Sequence, residues 1–415
     1  MIERPSYLER LQAWKDRDVI KVLTGMRRCG KSTILEMFQD ALKTTGIEEK
    51  CLIALNFESL EENFPTGAKE LYSYIASRLS PNEKNYVFLD EIQRIEHFEV
   101  VADALFVRKD VDLYITGSNS YFLSGELATL LTGRYVEIKV QPLSFKEYFN
   151  AVNSDRGGFD YPHDYGRPAF SKEEAFNRYL TYGGLPYAAL LFDERQLVEY
   201  LDGVFNTIFV TDILSRRPRM DMRAFKATTS FLADNIGNIS SLKKIASGLA
   251  GTGSKVSEGA VREYVDALLE CYLIYKARRF DLKGRAHLKT LEKYYLGDLG
   301  FRFWLLGKDA GDIGHRIENV VYLELLRRFL RVDIGKQGEK EIDFVASDKD
   351  GPHYFQVAQT VLDENTLKRE LEPLQNIKDN YPKTLLSLDV VGTGDFSGIH
   401  HMNLLEWLLG KEAGV

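Results

Sequence analysis

"DVIKVLTGMRRCGKSTILEMFQDAL", residues 18–42, reads as a strand, a loop and a helix. Val19 to Thr24 is a β-rich run, and beyond the loop Ile34, Leu35, Phe38 and Leu42 recur at helical spacing. The loop between them, GMRRCGKS, has the form of a phosphate cradle. Gly25 and Gly30 let the backbone curl so that its N–H groups face phosphate oxygens, and the helix N-terminus adds the positive end of its dipole. Lys31 is placed to reach the β- and γ-phosphates and the Ser32 hydroxyl to join a Mg²⁺ shell. The spacing therefore predicts nucleotide binding by Gly25, Met26, Arg27, Arg28, Cys29, Gly30, Lys31, Ser32 and Thr33. Cys29 lies at the mouth of the helix, where its thiol reads either as a redox switch or as a small residue that fits.

Two further strands bring polar ends to such a cradle. "NYVFLDEIQRI", residues 85–95, is an apolar strand closing on Asp90 and Glu91. Beside a phosphate loop, Asp90 is suited to hold Mg²⁺ and Glu91 to polarise an attacking water, because phosphoryl transfer needs a positioned nucleophile and charge stabilisation. Without the loop, the pair would read as caps of the next helix. "DLYITGSNSYFL", residues 112–123, ends in Ser118 and Asn119, which read as a water or γ-phosphate sensor or as a turn. Arg134 precedes the next strand, where an arginine can stabilise transferred charge in its own or a neighbouring subunit. Arg27 and Arg28 admit the same role, and for all three an ordinary salt bridge is the alternative.

The composition bounds the rest. A chain of 415 residues with 44% apolar and 28% charged residues has room for two or three globular domains. No run approaches the roughly 18 apolar residues of a membrane span, and "MIERPSYLER" has no apolar signal core. The expectation is a cytoplasmic protein without a membrane partner. Cys29, Cys51 and Cys271 are odd in number and far apart, which argues against a disulfide framework or a structural zinc site. A net charge of −7 confines any nucleic-acid contact to a local patch.

The segments "LTGMRRCGKSTIL", "YVFLDEIQRI", "YITGSNSYFLSGEL" and "LTGRYVEIKVQPLSFKEYF" resemble the AAA-type P-loop ATPases of bacteria and archaea that carry a C-terminal domain of unknown function. The resemblance covers essentially the whole chain. It implies an α/β fold with a parallel five-stranded sheet in the order 5-1-4-3-2, ATP and Mg²⁺ as cofactors, and assembly into a homo-oligomer. It also implies water activation by Glu91, a sensor role for Asn119 and a metal-binding role for Ser32 and Asp90, and Arg134 stays beside them as the candidate catalytic arginine read from its place before the strand.

Beyond the ATPase domain, expected over residues 1–155, a Gly-, Pro- and Asp-rich stretch leads into helical periodicity, read as a lid or spacer over 156–238. Gly183, Gly184 and Pro186 read as a hinge or sharp turn there. Residues 239–312 follow the plan of a winged helix: two capped amphipathic helices, then "IYKARRFD" and "LEKYYLGD" as a ribbon. Residues 240–293 hold eleven Lys or Arg against six Asp or Glu, a net of +5. Lys255, Arg262, Arg278, Arg279, Lys283 and Arg285 are the candidate DNA contacts. A protein-docking module is the alternative, because Glu258, Glu263 and Asp266 stand on the second helix.

Residues 313–415 resemble the restriction-endonuclease-like superfamily in their order αβββαβ. That resemblance carries the metal-site positions onto Glu318, Asp343, Gln356 and Ala358. Gln356 is a poor ligand for a hard cation and Ala358 cannot activate water, so nuclease chemistry is not expected. Three functions fit the whole chain: an ATPase that controls DNA contact, an ATP-driven switch that docks a protein partner, and, least well, an ATP-dependent nuclease.

Overall fold

Runs rich in β-branched and aromatic residues alternate with amphipathic helices through the first third of the chain, a pattern that favours parallel strands covered on both faces. The computed structural model describes residues 1–58, 65, 67–118, 131, 133–154, 169–251, 256–284, 286–288, 291–308 and 313–411. They form two compact units, one of Met1–Pro142 with Glu270–Tyr272 and one of Leu143–Leu269 with Leu273–Val415.

The first unit begins with helix α1 (Pro5–Trp14) and strand β1 (Ile20–Thr24), followed by α2 (Lys31–Thr44) and β2 (Leu52–Asn56). It continues through α3 (Ala68–Ala76), β3 (Asn85–Asp90), α4 (Phe98–Phe106), β4 (Val111–Gly117) and β5 (Tyr135–Lys139). The sheet order is β2-β3-β4-β1-β5 and every pairing is parallel, the order expected for a P-loop NTPase. Alternation along the strands sends Val87, Leu89 and Ile115 to one face, against Leu71, Ile75 and Leu105 of α3 and α4. Phe88 and Tyr114 go to the other face, where their rings stack at 4.9 Å and meet Phe38 of α2. Register then lines up the functional ends. Thr24 pairs with Gly117 and Leu89 with Ile115, so the exits of β1, β3 and β4 stand side by side.

The second unit opens with α5 (Phe145–Val152), whose start is set by a capping box between Ser144 and Glu147. A second box, Ser171 with Glu174, starts α6 (Lys172–Tyr182). Then come α7 (Pro186–Ala189), α8 (Glu194–Thr207), a π-helical continuation over Ile208–Leu214, and α9 (Met222–Asp234). The diglycine between α6 and α7 is fastened rather than loose. The Gly184 N–H donates to Asp298 at 2.6 Å and its carbonyl accepts from Leu143 at 2.8 Å. Gly183 has φ 79°, and a Cβ there would stand 1.9 Å from the Asp298 carboxylate. Of the hinge and the sharp turn that the sequence offered, the structure has the sharp turn, closed by an aspartate that lies far along the chain.

Next along the chain are β6 (Ile239–Ser240), α10 (Leu242–Gly251), α11 (Glu258–Glu270), β7 (Ile274–Ala277), β8 (Arg279–Asp281), β9 (Ala286–His287) and β10 (Glu292–Leu296). Strands β6, β10 and β7 form a small antiparallel sheet. Strands β8 and β9 leave it: β8 pairs in parallel with β11 (Arg331–Gln337), Ile334 opposite Arg279. After α12 (Gly300–Leu306) and α13 (Ile313–Arg328), β11 runs on to β12 (Lys340–Asp348), β13 (Gly351–Val357), α14 (Glu364–Gln375) and β14 (Lys383–Ser387). Strands β15 (Gly394–Asp395) and β16 (Ile399–Asn403) and helix α15 (Leu404–Leu408) close the chain. The large sheet has eight strands, β15-β16-β14-β13-β12-β11-β8-β9. Among the described residues no helix is long and apolar enough to cross a membrane.

Candidate nucleotide site

The phosphate loop joins β1 to α2 and depends on two glycines. Gly25 has φ 153°, and a Cβ there would lie 2.1 Å from the carbonyl of Val140. Gly30 is the N-cap of α2 with φ 100°, a left-handed conformation that glycine adopts without strain. No side chain caps α2, which leaves its first N–H groups for a ligand. Arg28 also has a positive φ, 68°, and its side chain is exposed. Arg27 is buried and paired with Glu58 at 2.8 Å, and Arg94 joins the same carboxylate at 2.9 Å. Cys29 is fully buried, and its thiol donates to the Val140 carbonyl at 3.3 Å. Burial pushes that thiol up, the opposite of what a redox switch needs, so Cys29 is a small residue that fits.

Lys31 is 4% exposed and lies over the loop. Its ammonium donates to the carbonyls of Gly25 (3.1 Å) and Met26 (3.4 Å) and to the Ser118 hydroxyl (3.3 Å), and it stands 3.6 Å from Glu91. Ser32 and Thr33 are half-buried at the first turn of α2. Asp90 accepts from Thr116 Oγ1 at 2.6 Å, and Thr116 and Ser32 both act to lower its carboxyl. Burial raises the Asp90 carboxyl against the pull of those two hydroxyls. Ser32 and Asp90 offer hard oxygens of the kind Mg²⁺ takes when most of its shell comes from phosphate and water. Among the described residues no group of three or more His, Cys, Asp or Glu makes a dedicated metal cage.

Glu91 is held from four sides. Its N–H donates to Thr116 Oγ1 at 2.8 Å, while its carboxylate accepts from Ser118 (2.5 Å) and Gln93 (2.6 Å) and faces Lys31. Burial works to raise this carboxyl, but the Lys31 charge, Ser118 and Arg27 outweigh it and hold the group below the ordinary glutamate range. The backbone at Glu91 sits at φ 55°, a conformation that costs of order 1–3 kcal/mol and gathers at functional sites. Thr116 was not singled out in the sequence, although the register that seats β3 beside β4 makes it the hydroxyl between Asp90 and Glu91. Asn119 lies outside the described residues.

Arg134 is elsewhere. It precedes β5, whose first residue, Tyr135, pairs with Ile20 at the start of β1, five residues and about 16 Å from the loop's end of the sheet. There it pairs with Asp103 and lies over the Phe106 ring. The register puts Arg134 at the opposite end of the strands from its own phosphate loop.

In the second unit, Arg262, Arg278 and Lys283 are exposed, and Arg279 is half-buried within β8. Lys255 and Arg285 lie outside the described residues. Of the carried-over metal-site positions, Glu318 accepts from Lys293 (3.0 Å) and Tyr295 (2.5 Å), and Lys293 also pairs with Glu341 at 2.7 Å. Asp343 accepts from the Val357 N–H at 2.8 Å, and burial followed by the Glu318 charge pushes its carboxyl well up. Gln356 turns its amide to Glu370 at 2.9 Å, and Ala358 packs among apolar side chains. Lys293, from β10, thus brings a cation to these carboxylates that no local motif announced.

An uncharacterized protein of Haemophilus influenzae is 39% identical over 410 residues, 99% of each chain. This chain belongs to the same family. Uncharacterized protein MJ1544 of Methanocaldococcus jannaschii is 31% identical over 326 residues, 74% of this chain and 67% of that one. Residues 17–149 match the AAA domain, and residues 173–312 match a domain of unknown function (DUF8612). Among solved structures, the Walker-type ATPase of Pyrococcus abyssi is similar at 16% identity and a TM-score of 0.48, over 74% of this chain and 96% of that one. Residues 17–149, mostly in the first unit, are an AAA-type P-loop domain.

Proposed function

We propose that the chain is a Mg²⁺-dependent ATPase whose nucleotide cycle controls contact with DNA. The observation that carries the first half is Lys31 gathered with Ser32, Asp90 and Glu91 at the exits of three neighbouring strands. Lys31 and the α2 N-terminus bind the phosphates, and Ser32 and Asp90 hold the metal. A Mg²⁺ held there would supply charge stabilisation to the transferred phosphoryl group. Glu91, aimed by Ser118, Gln93 and Thr116, orients water and accepts its proton. Asn119 senses the γ-phosphate. Arg134, remote from its own loop, acts on a neighbouring copy in a homo-oligomer.

The DNA half rests on residues 222–296. Helix α9, strand β6, helices α10 and α11 and strands β7 and β10 follow the order of a winged helix, with α9 included ahead of the boundary at 239. Arg262, Arg278 and Lys283 would meet phosphate, joined by Lys255 and Arg285. The C-terminal sheet is read as a degenerate nuclease-like fold, with Lys293 satisfying the carboxylates that a metal would need. A second reading, an ATP-driven switch that docks a protein partner, is favoured by the exposed Glu258, Glu263 and Asp266 on α11.

Duplex affinity of Glu91→Gln, measured by fluorescence anisotropy in ATP and in ADP, separates the two. The DNA reading expects affinity that differs between nucleotides and falls steeply between about 50 and about 200 mM salt. Equal, weak binding in both states would leave protein docking as the function.

A further inference from the structure

The phosphate loop is gripped by a residue that belongs to no nucleotide motif. Arg4, one residue before α1, is 3% exposed. Its guanidinium donates to the carbonyl of Cys29 inside the loop at 3.1 Å, to that of Gln141 at 2.9 Å and to that of Pro142 at 3.5 Å. The ring of Tyr7 lies against it, 4.7 Å from centroid to guanidinium carbon, and the Tyr7 hydroxyl accepts from the Gln141 N–H at 3.0 Å. A second set of contacts ties the same two segments together. The Cys29 thiol donates to the Val140 carbonyl, the Val140 N–H donates to Thr24 at 2.7 Å, and Gly25 packs so closely on Val140 that a Cβ would not fit.

The chain then passes directly into the second unit. Pro142 is the last residue of the first unit and Leu143 the first of the second. Proline fixes its own φ, which removes slack at that point. Leu143 is held as firmly as Pro142: its N–H donates to Gly184 at 2.8 Å, and its carbonyl accepts from Tyr179 at 2.8 Å and Arg327 at 3.4 Å. Gly184 is in turn pinned by Asp298, which also takes the Gly300 N–H at 2.8 Å. No loose residue separates the grip on the phosphate loop from the grip on the diglycine turn.

We infer that Arg4 is a positioning residue of the nucleotide site and that Val140–Leu143 is the strap through which loop movement reaches the second unit. A guanidinium fork suits this role because it holds two carbonyls in fixed directions, which a single ammonium point charge does not. When the loop closes on phosphate, the Cys29 carbonyl moves, and Arg4 carries Gln141 and Pro142 with it. Leu143 follows through the peptide bond and alters the load on the bonds at Gly184 and Asp298. The inference rests on nucleotide binding at the loop, and it adds which residues transmit the bound state.

The test is hydrogen exchange of the full chain, wild type, Arg4→Ala and Arg4→Lys, with and without ATP and Mg²⁺. Occupancy is measured in the same samples with a fluorescent ATP analogue. In the wild type, nucleotide should change exchange at the amides of Leu143, Gly184 and Gly300. Arg4→Ala should raise the Kd for the analogue about 10- to 100-fold, as expected for losing a charged hydrogen bond to the loop. At saturating nucleotide it should leave those three amides unresponsive. Arg4→Lys should bind more tightly than Arg4→Ala yet also fail to transmit. Unchanged transmission in saturated Arg4→Lys and Arg4→Ala would overturn the inference, whatever their stability, as would a wild type that binds ATP without any change at the three amides. Failure of the wild type to bind the analogue would instead remove the nucleotide reading, and the strap with it. If Arg4→Ala does not fold, Tyr7→Phe, which keeps the ring but removes the acceptor for Gln141, is expected to weaken the same response.

Discussion

Asp298 is 2% exposed and carries a carboxyl that burial pushes up from 3.8 to about 6, against the pull of the N–H groups of Gly184, Gly300 and Leu185. A displacement of that size corresponds to about 3 kcal/mol. Its sign follows from which state holds the proton. Above pH 6 the carboxyl is ionised in both states, and the folded chain bears the full burial cost. Between pH 6 and pH 4 the folded chain takes up the proton first, so this group makes the protein more stable as pH falls through that window. Asp298→Asn is neutral throughout and is almost the same size. Its amide offers one acceptor instead of two, which costs about 1–3 kcal/mol at any pH. The two effects offset near pH 7, where the variant should lie within about 2 kcal/mol of wild type despite losing a buried, hydrogen-bonded carboxylate. Toward pH 4 it should fall behind by a further amount of about 3 kcal/mol. Urea unfolding followed by tryptophan fluorescence reads this, since Trp304 and Trp407 both lie in the second unit. A wild-type-minus-variant difference that stays level from pH 4 to 7, or grows toward pH 7, would refute burial as the dominant influence on Asp298.

Ser118→Ala removes the hydroxyl that donates to Glu91 at 2.5 Å, a charge-assisted bond worth about 1.5–3 kcal/mol. ATP turnover should drop about 10- to 100-fold with nucleotide affinity retained, and an unchanged kcat would show that Ser118 does not aim Glu91. Lys293→Met leaves Glu318 and Glu341 without their shared cation and should cost about 3–5 kcal/mol in urea unfolding. A loss below about 1 kcal/mol, the scale of an exposed pair, would mean that the cluster is wetter than its burial indicates. On the proposed nuclease-like reading, in which Gln356 and Ala358 stand where cleavage would need an acid and a lysine, supercoiled plasmid incubated with the protein, ATP and Mg²⁺ or Mn²⁺ should stay intact; metal-dependent nicking would restore the nuclease reading.

What could be read in advance was local. Gly25, Gly30, Lys31 and Ser32 lie within eight residues of one another, and the Asp90–Glu91 pair announces itself at the end of an apolar strand. The reading of their chemistry rests on spacing alone. Thr116, Gln93 and Arg4 work through contacts that depend on which strands become neighbours, and no window of the sequence contains those contacts. Arg134 shows the same limit from the other side: its position before a strand was legible, but the end of the sheet it occupies required the register of β5 on β1. The diglycine read as a hinge or a sharp turn, because glycine is flexible and proline bent by default, and the carboxylate that decides for the turn comes from Asp298. Likewise "IYKARRFD" divides at Arg278, the first part pairing with β10 and the second joining β11, because a second sheet competes for the same run.

The central claim is tested most directly by Glu91→Gln, with Mg²⁺-dependent ATP hydrolysis and nucleotide binding measured side by side. The account predicts wild-type turnover that requires Mg²⁺, and a variant that binds ATP as tightly as wild type but turns it over about 10²- to 10⁴-fold more slowly. Glu91→Gln hydrolysing ATP at the wild-type rate, with binding intact, would contradict it.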